Sequence, residues 1–190
     1  MKHKIIAVIF CILMLAGCTN KSSQITEPVS IIQEDGTVSL DNLYFSDGKH
    51  TISNLKDQNA YDSFKKIISA QSNMNGSINE NEFNSFGIKI SNETEMSYVS
   101  LTEDKQVFQI TISPNYAVAE ETESSKKLTI AGIHLFDSYD DVINTLGKPS
   151  QEDKDEDGNV STVTYNETED SFLYISFKDD LVNYIAVQFN

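Results

Sequence analysis

The sequence predicts an α+β body made of two tandem units, each a helix laid on an antiparallel sheet. Three observations lead there. Two short segments, one around Tyr61–Ile68 and one at Tyr139–Leu146, carry apolar residues at helical spacing. Each is followed by segments in which apolar and polar residues alternate, separated by turn-forming residues. The two halves also align with each other: NAYDSFKKII matches DSYDDVINTL with Tyr61 over Tyr139, and TEDKQVFQITI matches FKDDLVNYIAV with Val107 over Val182.

The body does not begin at the first residue. Lys2 and Lys4 form a basic start, and Ile5–Leu15 is an uncharged apolar run too short to make a stable spanning helix. It ends in Leu15-Ala16-Gly17-Cys18, which resembles the lipobox of bacterial lipoprotein signal peptides. That resemblance implies removal of residues 1–17, acylation of Cys18, and a lipid anchor holding the protein on the extracytoplasmic side of a cell membrane. More than one acyl chain makes such an anchor stable. With Cys11 removed in the leader, Cys18 is the remaining cysteine, so neither a disulfide nor a free thiol nucleophile is expected. Residues 18–36 are polar and read as a flexible tether with a reach of roughly 20–25 Å.

The first unit spans residues 37–113. TVSLDNLYF and HTIS read as extended segments around a turn at SDGK. Asp57 is placed to cap a helix from Gln58 to Ala70, with Tyr61, Phe64, Ile67 and Ile68 on one face. QSNMNGSINENEFN reads as a polar loop. Strands follow at Phe86–Ile90, Ser97–Leu101 and Gln106–Ser113. Residues 114–125 form an acidic linker. The second unit, 126–190, opens with a strand at Lys127–Ile130. In DSYDDVINTLGKPS, Asp137 or Ser138 caps a helix, and Ser138 with Asp141 approximates a capping box. Gly147 ends the helix and Pro149 prevents its continuation. Strands are expected near Ser150–Asp153, Val160–Tyr165, Ser171–Phe177 and Leu181–Phe189, the last hairpin turning at KDD.

Charge narrows the function classes. The formal net charge is −15, the basic residues are all lysine, and tryptophan is absent. Nucleic acid is excluded as a partner, because its binding needs clustered positive charge. An acidic body is also repelled by anionic lipid and stands off the membrane that its anchor holds. Without arginine there is no bidentate clamp for phosphate or carboxylate. No G-x-S-x-G, H-E-x-x-H or Gly-rich phosphate motif occurs. His50 and His134 are isolated in sequence, and the pairs Asp140/Asp141 and Asp179/Asp180 are neighbours that do not face each other. The expectation is a protein that is not an enzyme.

The capped helix ending in LGKPS, a charged turn and the strands up to Asn190 resemble the family of small extracytoplasmic lipoproteins that share a fold with BamE and with β-lactamase inhibitory protein. The resemblance covers about the last third of the chain, and the first half through the proposed repeat. It implies a non-enzymatic binding or scaffold module, with inhibition of a secreted hydrolase as an alternative. The residues support a binding surface independently. Leu173, Ile175 and Phe177, with Leu181, Ile185, Val187 and Phe189, alternate onto one face of the last hairpin. Phe172, Tyr174 and Ser176, with Val182, Tyr184, Ala186 and Gln188, take the other. Phe172, Tyr174 and Tyr184 are therefore candidate contacts for an unidentified envelope or extracellular protein, since tyrosines bury large area and tolerate water. They also fit ordinary cross-strand pairs.

A second candidate site is DKDEDGNVS. Asp153, Asp155, Asp157, Asn159 and Ser161 match positions 1, 3, 5, 7 and 9 of an EF-hand-type calcium loop, with Gly158 at the sharp turn. Position 12 is Thr164 rather than a bidentate glutamate, and no helices flank the loop. The same residues also make a hairpin turn at Asp157-Gly158-Asn159.

Overall fold

In the segments Glu95–Leu101, Val107–Pro114, Val160–Asn166, Phe172–Lys178 and Leu181–Gln188 buried residues recur at about every second position, and that period builds a sheet rather than a pair of helical layers. The computed structural model describes residues 30–57, 59–70, 75–82, 85–91, 94–115, 127–166 and 171–189. The leader, Cys18 and most of both the tether and the acidic linker lie outside the described residues. After a 3-10 turn at Leu40–Asn42 the elements run β1 (Tyr44–Ser46), β2 (Thr51–Ser53), α1 (Ala60–Ala70), β3 (Asn75–Glu82), β4 (Ser85–Ser91), β5 (Glu95–Leu101), β6 (Val107–Pro114), β7 (Thr129–Ile130), α2 (Tyr139–Leu146), β8 (Gln151–Lys154), β9 (Val160–Asn166), β10 (Phe172–Lys178) and β11 (Leu181–Gln188).

These strands form two antiparallel sheets. The larger has eight strands in the order β3-β4-β5-β6-β11-β10-β9-β8, and the smaller has three in the order β2-β1-β7. The expectation of an α+β body of two helix-plus-sheet units is therefore corrected: the described residues are mostly β, with two short helices. The join is between β6 and β11, where Ile112 pairs with Ile185 and Ile110 with Val187. Two separate sheets would each have left one of these apolar strands as an open edge, and pairing them removes both edges.

One face of the large sheet is covered. Phe64 and Ile67 from α1, Val142 and Leu146 from α2, and Phe45, Ile52 and Ile130 from the small sheet share one buried cluster with Val99, Ile110, Ile175 and Ile185. The rings of Phe45 and Phe64 lie 5.2 Å apart, and those of Tyr139 and Phe177 5.8 Å apart. The helices and small sheet thus form a single covering layer. Residues from Ser30 onward belong to this layer. Ser30 O accepts from Asn42 Nδ2 at 2.9 Å, and Gly36 and Ile32 lie beside the end of α2 at Gly147.

The second helix is fixed at both ends as its sequence predicts. Ser138 Oγ accepts the Asp141 N–H while the Asp141 carboxylate accepts the Ser138 N–H, a complete capping box. At the other end Gly147 takes φ 74° and ψ −161°. This is positive φ with extended ψ, rather than the left-handed helical conformation common at helix ends, and glycine alone adopts it readily. Tyr165, buried on β9, donates its hydroxyl to Gly147 O at 2.9 Å, and burial pushes that phenol's pKa up. Tyr139 donates to Glu152 Oε1 at 2.6 Å, which raises its pKa to about 12 and ties the first turn of the helix to β8.

Three further expectations are corrected. The segment read as a polar loop contains β3, which pairs with β4 from Asn75↔Ser91 to Glu82↔Ser85. Its stability comes from backbone pairing, which polar residues permit as well as apolar ones. The segment before Tyr44 is not wholly extended, because Leu40–Asn42 coil into a single 3-10 turn that buries Leu40. The helix expected from Gln58 begins at Ala60. Asp57 Oδ1 accepts the Asn59 N–H just before it.

Candidate functional site

The face of the large sheet away from the helices carries the second set of alternating side chains. The ladder registers line them up in rows. Lys89 pairs with Tyr98, Tyr98 with Thr111, Thr111 with Ala186, Ala186 with Tyr174, Tyr174 with Thr164, and Thr164 with Gln151. A neighbouring row runs Ser100, Gln109, Gln188, Phe172. Their opposite-parity neighbours Val99, Ile110, Val163, Leu173, Ile175, Ile185 and Val187 are buried, which fixes the direction of each set. Across the described part of this face most side chains are hydroxyls, amides and aromatic rings, joined by Ala186 and Met96, with Lys89 and Asp153 toward its two sides.

The candidate partner contacts Phe172, Tyr174 and Tyr184 all lie on this face, each half-buried by its neighbours. Ser176 Oγ donates to Asn183 Oδ1 at 2.6 Å beside them. Burial and the neighbouring Tyr174 push the Tyr184 phenol's pKa up. Val182 and Leu181 are corrected. Phe177 pairs with Val182, but Ser176 pairs with Tyr184, so Asn183 is an extra residue in β11. This β-bulge reverses the alternation on its hairpin side. Val182 turns into the core at 0% exposure, and Leu181 turns out at 38%. Phe108 occupies the same kind of position in β6: Ser100 pairs with Gln109 and Leu101 with Val107, which leaves Phe108 unpaired and 39% exposed. A residue-by-residue period of two contains no signal for either bulge.

The acidic loop forms a hairpin turn. Asp153 sits in β8 opposite Thr162, on the open face, and its carboxylate accepts from Thr162 Oγ1 at 3.0 Å and from Gln151 Nε2. Asp155 lies in the turn. Its Oδ1 accepts the N–H groups of Asn159 (2.9 Å) and Asp157 (3.0 Å), and the Asn159 amide also reaches Oδ2. The Asn159 N–H, first among these bonds, holds the Asp155 carboxyl below the usual carboxylate range. Gly158 supplies the positive φ of the turn at 89°. Asp157 is exposed, and Ser161 Oγ donates to the Asp153 carbonyl. Asp153, Asp155 and Asp157 are thus spread over a strand and a turn. Among the described residues no group of three or more His, Cys, Asp or Glu side chains is placed to hold a metal ion.

Three charged features were not legible as sites. His50 Nδ1 lies 3.0 Å from Asp47 Oδ2, and His134 Nδ1 lies 2.9 Å from Asp137 Oδ1. Each pair closes a local turn, with the same aspartate also accepting a backbone N–H of its histidine. Glu95 is fully buried at the start of β5, where its Oε2 accepts the Leu128 N–H at 3.1 Å. Alternation with Ser97 and Val99 places Glu95 on the core side, and that is the signal by which it could have been found.

No protein-family model, curated protein or solved structure matches the chain. Among the described residues no helix is long and apolar enough to cross a membrane.

Proposed function

We propose that this chain is an extracytoplasmic lipoprotein, acylated at Cys18 and held at a cell membrane, whose body is a non-enzymatic protein-binding module. The observation that carries the reading is the open face of the eight-stranded sheet. A sheet this wide with one solvated face usually places charge there for solubility. Here the exposed acids crowd the turns, and the face presents Tyr98, Thr111, Tyr174, Thr164 and Gln188, groups that hydrogen-bond and bury area at low desolvation cost. Ile32 and Gly36 pack on the covered side, near the end of α2. A lipid tethered from that side leaves the tyrosine face free to meet a partner. The lipobox at Leu15–Cys18 supports the anchor.

Photo-crosslinking in intact cells tests this reading. A benzophenone amino acid at Tyr174 or Thr111 gives discrete protein adducts, and the same group at Asn144 or Thr145 on the exposed side of α2 does not. Equal adducts from both sides, or none from the sheet, would sink it. Cys18→Ser releases the protein from the membrane fraction if the anchor is acyl.

A further inference from the structure

A groove of about 540 Å³ opens at the end of the sheet face, lined among others by Pro114, Phe136, Lys178, Leu181, Val182 and Tyr184. It is continuous with the open face, because Ser113 and Tyr184 belong to both. Its walls are built rather than loose. The Phe136 N–H bonds Val182 O and the Val182 N–H bonds Asp137 O, both at 2.8 Å, so the segment before α2 is paired to the start of β11. Phe136 is held there at φ 69°, an outlier for a bulky residue. The bulge at Asn183 then turns Leu181 outward onto the groove, where unbroken alternation would have buried it. Two departures from regular backbone thus place apolar side chains around one hollow beside a polar face.

Lys178 and Asp179 line the hollow itself, and the charge at this end of the sheet is mostly negative. Asp179 and Asp180 form the adjoining turn. Ser176 pairs with Thr162, which brings the β8–β9 turn, with Asp155, Glu156 and Asp157, to the same end of the sheet. Lys154 and Lys178 are the basic residues among them, and all of these side chains are exposed. We propose that this groove receives a large apolar side chain of the partner, carried on a lysine- or arginine-rich loop of a folded protein. The inference rests on the open face being a protein-binding surface and specifies the chemistry of what binds. A desolvated apolar pocket at the margin of a polar surface is where binding energy concentrates. The surrounding acids select a cationic neighbour and speed its approach.

The probe is a fluorescein-labelled hexapeptide, KKFLKK, titrated by anisotropy against the full chain in nonionic detergent micelles, with protein-free micelles as baseline. Binding is expected to weaken by about tenfold in Leu181→Asp and in the Asp179→Lys/Asp180→Lys double variant, and on raising salt. KKSSKK and EEFLEE are expected to bind about tenfold more weakly than KKFLKK. Leu181→Ser serves as a second variant, since this exposed position tolerates change. The proposal is overturned if KKFLKK shows no saturable binding at millimolar concentration, if EEFLEE binds equally well, or if both Leu181 variants bind like the parent chain. Self-association abolished by Leu181→Asp would assign the groove to a second copy and also overturn it. Loss of the Leu181 effect with Tyr174 crosslinks intact removes this inference alone. Loss of the crosslinks with the Leu181 effect intact removes the sheet-face reading and, with it, the assignment of the groove to that partner, leaving only peptide binding by the groove.

Discussion

Tyr174 and Tyr184 meet edge to face on neighbouring strands, with ring centroids 6.3 Å apart and planes at 67°. They are diagonal rather than opposite, since Tyr174 pairs with Ala186 and Tyr184 with Ser176. Such a contact is worth about 0.5–1.5 kcal/mol beyond area burial. A double-mutant cycle of Tyr174→Ala and Tyr184→Ala, followed by urea unfolding, is expected to return a coupling in that range. Strict additivity would show that the rings stabilise the face separately.

The bulge at Asn183 sets opposite fates for adjacent residues. Val182→Ala is expected to cost about 1–3 kcal/mol, because it empties buried space. Leu181→Ala is expected to change stability by no more than about 0.5 kcal/mol, as exposed substitutions do. Chemical denaturation of the two variants checks this. The reverse order would restore simple alternation and remove the bulge.

The end of α2 hangs on one glycine and one phenol. Gly147→Ala forces an L side chain into positive φ, at an expected cost of about 1–3 kcal/mol. Space is not the reason, because an added Cβ would meet Gly36 O at 3.7 Å and Ile32 Cδ1 at 3.8 Å, ordinary contact distances. Tyr165→Phe removes the hydroxyl bonded to Gly147 O, and about 1–2 kcal/mol is expected to go with it. Thermal unfolding of both variants gives the comparison.

Asp47 provides a pH signature. Burial works against its ionisation, but the His50 ring and the N–H groups of His50 and Lys49 outweigh it and lower the carboxyl's pKa. A carboxyl lowered on folding adds stability above its unfolded value of about 3.9, and that stability is lost as pH falls through the folded value. Asp47→Asn is therefore expected to be less stable than the parent at neutral pH by about 1 kcal/mol, with the gap closing below about pH 4. Urea midpoints across the acid range would show it, and a pH-independent gap would reject the role of the ionised carboxylate.

Calcium is the remaining measurement. The Asp155 carboxylate already accepts two backbone N–H groups and the Asn159 amide. Millimolar calcium is expected to leave the unfolding temperature unchanged, and a saturable rise abolished by Asp155→Asn would establish the acidic loop as a site.

Much of the body was legible because its signals are local. Ser138, Asp141 and Gly147 announce the ends of α2, and the alternation of Leu173, Ile175, Val187 and Ile185 announces a two-faced hairpin. What was illegible depends on pairing between distant strands. Asn75–Glu82 has no strand pattern of its own and is a strand because β4 offers it a ladder. Ile110 and Ile112 read as core residues, but nothing in them says that the neighbour beyond is Val187 and Ile185. The candidate contacts Tyr174 and Tyr184 were visible, whereas the groove was not. It needs the positive φ of Phe136 and the extra residue Asn183, and neither leaves a mark on periodicity.

The β6–β11 seam has a consequence for how the molecule is made. Its two strands are separated by about seventy residues of chain, so the middle of the sheet closes through one of the longest loops available, and such topologies fold slowly. Until Leu181–Gln188 arrives, Val107–Pro114 offers a bare, isoleucine-rich edge to any other extended chain nearby. A chain whose C-terminal strand has yet to emerge is in that state, and a chaperone that shields the edge would govern the yield of native protein more than any contact in the finished fold.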